Sequence, residues 1–369
     1  MIVGIPRETK DGERRVGATP DGVRILVADG HRVRVGAGAG AAVGFADADY
    51  VAAGATVVAD AADVWACDLV VKVKEIQPAE YPLLRPGSIV FGFAQINRDP
   101  ALLAAVLAAR VCAIGYETVR DRDGGTPLLA PMSRIAGRLA PLEGAAALGT
   151  DRGGAGVLLT GVDDVPGARV VIVGAGNVGS EAARIAARLG ARVTVFSRGD
   201  ARRQALAAAL AREGHAIECH PLAAGHDARF ADAVAGADLV IGGVLEPGSL
   251  SPKLLSHDLV RAMRPGSAIV DVGIDQGGIA ATSRMTKLSA PTYVEHGVVH
   301  YAVPNMPSLV ARTATLALTA ATLPQVLALA GRGLGPALGA DRGLAAGVMV
   351  RDGAIVHRGL AADAARRAA

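Results

Sequence analysis

With 369 residues the chain is long enough for two domains of ordinary size, each with its own core. Hydrophobic residues make up 51% and charged residues 20%, which excludes a disordered chain. The net charge is only +3 and there are just five Phe, five Tyr and one Trp, so there is neither a basic footprint for nucleic acid nor a stacking platform for single strands.

The opening MIVGIPRETK mixes charges instead of presenting an apolar export signal, which predicts a cytoplasmic protein. Short apolar runs at 2–5, 32–35, 69–73, 89–93 and 111–114 predict strands, and 20–29 and 99–110 predict helices, the latter opened by Asp99-Pro100. Such alternation predicts a parallel α/β sheet. An Ala/Leu-rich segment, 133–148, has the length of a connecting helix. A second series follows, with strands at 169–173, 192–196, 217–219, 239–241 and 268–272 and a helix at 177–189. The apolar stretch 307–330 contains Arg312 and several threonines, which predicts a long, mostly buried helix and no membrane partner. A hairpin-like stretch occupies 348–356. Cys67, Cys112 and Cys219 stand far apart without a CxxC pair, so reduced, mostly buried thiols are expected, with no disulfide framework and no metal.

The sharpest motif is VVIVGAGNVGSEAARIAARLGARVTVFSR, 170–198, with Gly174, Gly176 and Gly179 as GxGxxG between an apolar strand and an amphipathic helix. Gly174 allows the tight turn, Gly176 the approach of backbone to a diphosphate, and Gly179 the close packing of helix on strand. The helix N-terminus adds unpaired N–H groups and partial positive charge. Strand before, helix after and a second strand ending about twenty residues on together indicate a dinucleotide. Where an acidic residue would hold the ribose 2′-hydroxyl of NAD stand Ser197 and Arg198, with Arg202 and Arg203 in the next turn. That pattern favours NADP over NAD, since guanidinium groups suit a 2′-phosphate.

GERRVGATP (12–20), VKVKE (71–75), YETV (116–119), LLAPMSRIAGR (128–138), VDVGIDQGG (270–278) and GVVHYAVPNMP (297–307) resemble the alanine dehydrogenase and pyridine nucleotide transhydrogenase alpha-subunit family. The resemblance implies an α/β protein of two Rossmann-like doubly wound domains with an interdomain active-site cleft. Residues 1–132 plus 306–369 would form the substrate domain, and 133–305 the nucleotide domain. It also implies a homo-oligomer, hexamer or dimer, and hydride transfer between a nicotinamide and the α-carbon of a 2-oxo or 2-amino acid. Position by position, Arg15 matches the arginine that binds the substrate carboxylate, for which a bidentate fork is suited. Lys74 matches the lysine on the substrate oxygen or carboxylate; alternation alone does not separate it from Lys72. Asp275 matches an aspartate beside the nicotinamide ribose and the reacting centre. Asn305 and Met306 match the nicotinamide pocket, with Asn305 also on the substrate side, and Ser133 matches a phosphate contact. Asn177, Val178, Val244, Leu245 and Ile274 complete the implied cofactor contacts. Met132, Tyr116 and Glu117 are either supporting residues or core.

One departure stands out. The family's catalytic histidine falls in IVFGFAQINRDP (89–100), where this chain has Gln95. A carboxamide hydrogen-bonds and polarises a carbonyl, but it carries no proton near neutral pH. Lys74 or His300 are the candidate substitutes, His300 also reading as a packed histidine. Arg134, in place of a glutamate common after PMS, adds positive charge near the expected phosphates. Three functions follow: an alanine-dehydrogenase-like enzyme; an opine-type synthase joining an amino acid to a 2-oxo acid with NADPH, favoured by a pocket widened around Gln95, Asn97 and Ile76; or a dinucleotide-binding sensor without catalysis.

Overall fold

The computed structural model describes residues 1–223, 228–244 and 251–368. The chain divides into two compact units, Met1–Met132 with Ser308–Ala369, and Ser133–Pro307.

The first unit begins with six parallel strands: β1 (Ile2–Ile5), β2 (Arg32–Gly36), β3 (Thr56–Val58), β4 (Leu69–Val71), β5 (Ile89–Gly92) and β6 (Cys112–Gly115). The second unit contributes β7 (Arg169–Val173), β8 (Arg192–Ser197), β9 (Glu218–Pro221), β10 (Leu239–Gly242), β11 (Ala268–Asp271), β12 (Thr292–Glu295) and β13 (Val298–Tyr301). The chain then returns to the first sheet with the antiparallel β14 (Val348–Arg351) and β15 (Ala354–Ile355).

The first sheet has the order β15-β14-β6-β5-β4-β1-β2-β3, and the second β12-β13-β11-β10-β7-β8-β9. In each, the first strand is central and the order reverses beside it, between β1 and β4 and between β7 and β10. Ligands of open α/β sheets bind outside the carboxyl ends of strands at such a switch point. The second sheet is covered on both faces, because successive residues of a strand point opposite ways. Val170 and Ile172 join a core with Ala140, Ala182 and Ala186, while Val171 and Val173 join another with Phe230, Val234 and Val260.

Helix ends follow local chemistry. Asp99 caps Pro100–Ala109 by accepting from the Ala101 N–H, and Thr19 caps Pro20–Ala28 through Gly22. The connecting helix runs Ala130–Ala147, starting three residues before the sequence reading placed it. The expected 217–219 strand is Glu218–Pro221. Helices at Asp200–Arg212 and Ala228–Ala235, and the β12–β13 hairpin, were not expected from the sequence; Ala-rich Asp200–Arg212 carries little apolar contrast, and Ala228–Ala235 is only eight residues long. The long apolar segment forms Ala311–Arg332. It was expected to be mostly buried, but only one stripe is, including Ala314, Thr315, Leu318, Thr322, Val326 and Leu329. In length and composition this helix passes for a membrane span, yet the stripe seats it in the first unit, where Thr315 Oγ1 accepts from the Val16 N–H at 3.3 Å.

Candidate functional site

The glycine turn of the second unit has the geometry its sequence called for. Gly174 sits at φ 102°, a conformation L side chains rarely adopt. At Gly179 an added Cβ would lie 1.8 Å from the Gly174 carbonyl oxygen, so only glycine lets the helix start this close to β7. At Gly176 an added Cβ would meet nothing within 4 Å. The backbone there borders open space at the N-terminus of Asn177–Arg188, and Gly176 has no side chain to cap that end. The unpaired N–H groups suit a diphosphate, so the turn fits a dinucleotide.

Neighbouring strand ends converge on the same edge. Val244 follows β10, and one of its methyl carbons lies 3.1 Å from the Cβ position of Gly174. Ile274 is buried and Asp275 half-buried in the single turn Ile274–Gln276 beyond β11. Gly137 of the connecting helix packs on Val178, whose carbonyl oxygen lies 2.3 Å from the Cβ position. Ser133 is one turn earlier on that helix face, half-buried, and Arg134 is exposed. Asn305 adopts φ 60°, tolerated by asparagine, and Met306 is buried in the core beneath. Leu245 lies outside the described residues.

At the end of β8, Ser197 is buried and Arg198 exposed. Arg203 was expected, with Arg198 and Arg202, to face a 2′-phosphate. Arg203 instead pairs with Asp200 and donates to the Ser197 carbonyl, so a carboxylate is present and a guanidinium neutralises it.

In the first unit the remaining candidates follow the carboxyl ends of parallel strands: Arg15 after β1, Lys74 after β4, Gln95 after β5 and Glu117 after β6. Arg15 is buried, and Glu13 grips it in a fork, with Nε donating to Oε1 at 2.7 Å and Nη2 to Oε2 at 2.6 Å. Its Nη1 donates to the Met132 sulfur at 3.1 Å, a weak acceptor. Both lysines of KVKE are buried, and their surroundings differ. Lys72 meets Glu80 at 2.5 Å and Glu8 at 3.9 Å, with the Trp65 ring 5.5 Å away, whereas Lys74 has Glu75 at 3.9 Å. Lys72 is thus part of an enclosed ion network.

Two carboxylates that sequence reasoning missed or discounted organise this edge. Glu8 accepts from the Val73 N–H at 2.5 Å and holds the lysine segment. Burial pushes its carboxyl up to about 7, with Lys72 opposing. Glu117 accepts from the N–H groups of Ala94 at 3.2 Å and Gln95 at 2.7 Å, and burial raises its pKa too. These bonds hold Gln95 at φ 44°, left-handed and unusual for glutamine. Charged acceptors on consecutive amides stabilise a conformation that the side chain alone disfavours.

Other candidates resolve into structure. His300 is buried in β13, with Nδ1 on the Val298 carbonyl at 2.9 Å and Nε2 on the Thr282 hydroxyl at 2.7 Å, and stacks on Tyr293. Burial lowers its pKa, so it is a packed, neutral histidine. Tyr116 lies edge-on to Phe91 and Phe93 in the core. Ile76 is core, and Asn97 donates to Asp363 at 3.4 Å.

The models of the alanine dehydrogenase/PNT N-terminal and C-terminal domains match residues 4–136 and 140–358. An alanine dehydrogenase of Halomonas elongata is 46% identical over 98% of this chain and 96% of its own length. Alanine dehydrogenase 2 of Staphylococcus aureus is 43% identical over 98% and 96%. A solved L-alanine dehydrogenase superposes with a TM-score of 0.93 at 44% identity, covering 99% of each chain. A transhydrogenase from Sinorhizobium meliloti gives 0.81 at 25% identity over 96% of this chain and 100% of the other.

Proposed function

The chain belongs to the alanine dehydrogenase/PNT family, and on that premise we propose that it interconverts a small 2-oxo acid plus ammonia with a 2-amino acid such as L-alanine, using a nicotinamide dinucleotide. The observation that carries this reading is a guanidinium gripped by Glu13 and a buried lysine at the strand ends of one Rossmann-like unit, with a glycine turn open at a helix N-terminus at the strand ends of the other.

In the proposed mechanism, Arg15 donates to the substrate carboxylate, displacing the weak Met132 contact while Glu13 keeps the guanidinium in place. The Lys74 ammonium donates to the substrate oxygen and favours attack by ammonia on the carbonyl carbon. Gln95 donates N–H to the same oxygen and orients it, and the proton is carried at Lys74 Nζ. Asp275 would hold the nicotinamide ribose. The dinucleotide, when bound, supplies or accepts the hydride. Reductive amination consumes one proton with that hydride and releases water.

NADP(H) is the preferred form in this reading. Arg198 and Arg202 offer positive charge beyond Ser197, and the Asp200 carboxylate is neutralised by Arg203. A spectrophotometric screen tests the whole assignment. NADPH and NADH oxidation are followed with pyruvate, glyoxylate and larger 2-oxo acids, with ammonia or amino acids as amine. Ammonia-dependent turnover is expected. Turnover only with amino acids would replace this reading by opine-type condensation, and tight nucleotide binding without turnover by the sensor.

A further inference from the structure

At the other end of the second sheet, three metal-binding side chains meet that the dehydrogenase reading does not use. His257 opens the helix His257–Ala262, and Glu295 and His296 lie at the tip of the β12–β13 hairpin. One ligand atom from each falls within 4.8 Å of the others. The two imidazoles meet through His257 Nδ1 and His296 Nε2, 3.3 Å apart, and Glu295 Oε1 lies 3.9 Å from the same Nε2. Zinc–imidazole bonds of about 2.0–2.1 Å at a tetrahedral angle separate two nitrogens by about 3.3 Å. The imidazole spacing is therefore that of two ligands on one ion, and the Glu295 carboxylate is the third donor within 4.8 Å of both.

We propose that His257, Glu295 and His296 bind one divalent transition ion of the zinc class, which ties the edge hairpin to the neighbouring helix. The donor set, two imidazoles and a carboxylate, suits a borderline ion better than calcium or magnesium, which prefer all-oxygen shells. The hairpin loop supports the assignment. His296 and Gly297 both have positive φ, 53° and 77°, between the paired residues Glu295 and Val298. A two-residue loop of that kind favours Asn-Gly, so histidine here costs turn propensity and supplies a ligand. The loop precedes β13, which runs parallel to β11, whereas the glycine turn follows β7. The ion site is thus at the amino ends of the strands and the nucleotide turn at their carboxyl ends. His257 lies 38 residues before the adjacent pair Glu295 and His296, so no ligand spacing in the sequence announced the site.

The test uses the full chain stripped with a chelator, then titrated with zinc chloride against a coloured competing chelator. One equivalent is expected to bind per chain, with a rise in Tm. His296→Asn suits the positive-φ turn and removes a ligand; it should weaken that equivalent at least tenfold and abolish the Tm rise, with dinucleotide binding unchanged. His257→Gln should do the same. Zinc binding that survives both substitutions, or no stoichiometric binding by the unaltered chain, overturns the proposal and leaves a plain imidazole–imidazole hydrogen bond.

Discussion

Replacing Gly176 and Gly179 separately by alanine should split nucleotide binding from folding, although the two glycines belong to one motif. At Gly179 the new methyl would stand 1.8 Å from the Gly174 carbonyl oxygen and 2.8 Å from its carbon, both backbone atoms that cannot swing away. The helix Asn177–Arg188 must then lift from β7, an overpacking cost of about 3 kcal/mol. Alanine recovers about 1 kcal/mol through helix propensity. The net loss is roughly 2 kcal/mol, or a fall in Tm of roughly 4–8 °C for a unit of this size. At Gly176 the backbone has φ −79° and ψ −167°, open to any residue, and the methyl points into open space. Stability there should hold or rise by about 0.4–1 kcal/mol, because alanine narrows the unfolded ensemble. The same methyl occupies the volume assigned to the diphosphate, so the dinucleotide Kd should rise at least about tenfold, equivalent to about 1.4 kcal/mol. Thermal unfolding without ligand and fluorescence titration with NADPH and NADH measure the two effects. If Gly176→Ala binds dinucleotide as tightly as the parent chain, or if the stability loss falls on position 176, the account of this turn is wrong.

Gln95→His restores a proton carrier at a backbone position that histidine tolerates, so ammonia-dependent pyruvate reduction should rise, by up to about 10²-fold. The rate should also gain a titration near the ordinary histidine value of about 6.5, and the absence of any rise would refute the role given to Gln95. Glu8 titrates at 4.5 when exposed and at about 7 in the fold, so the folded chain holds the extra proton between these values. Its contribution to stability is full below 4.5 and lost as pH rises through 7, about 3 kcal/mol in all. Urea unfolding of Glu8→Gln across pH 5 to 8 should therefore lose one proton's worth of falling slope, and an unchanged slope would contradict the burial argument. Arg198→Ala and Arg202→Ala should each raise the KM for NADPH about tenfold and leave that for NADH unchanged; equal effects on both would remove the case for a 2′-phosphate contact.

Much of this protein is legible in one dimension. Its strands are short apolar runs between turn residues, and Asp99-Pro100 fixes a helix start through a bond two residues away. The glycine turn is equally local, because its chemistry depends on a strand, three glycines and a helix in immediate succession. Cofactor class and fold class follow from such patterns, since hydrogen bonding and side-chain alternation repeat over a few residues.

The supports of the candidate site are of another kind. Glu8 reaches Val73 across β1 and β4, which are neighbours only because the order reverses there, and Glu117 reaches back from the end of β6 to Ala94 and Gln95 at the end of β5. No local preference of glutamine signals the left-handed backbone at Gln95; a buried carboxylate from the next strand end holds it there. Alternation puts Lys72 and Lys74 on one face and does not show that the fold encloses Lys72 among Glu80, Glu8 and Trp65. Sequence determined which chemistry the chain can hold, since periodicity and turn residues act locally. Tertiary structure decided which charges meet and which are raised by burial, since desolvation and ion pairing depend on neighbours that only the folded sheet brings together.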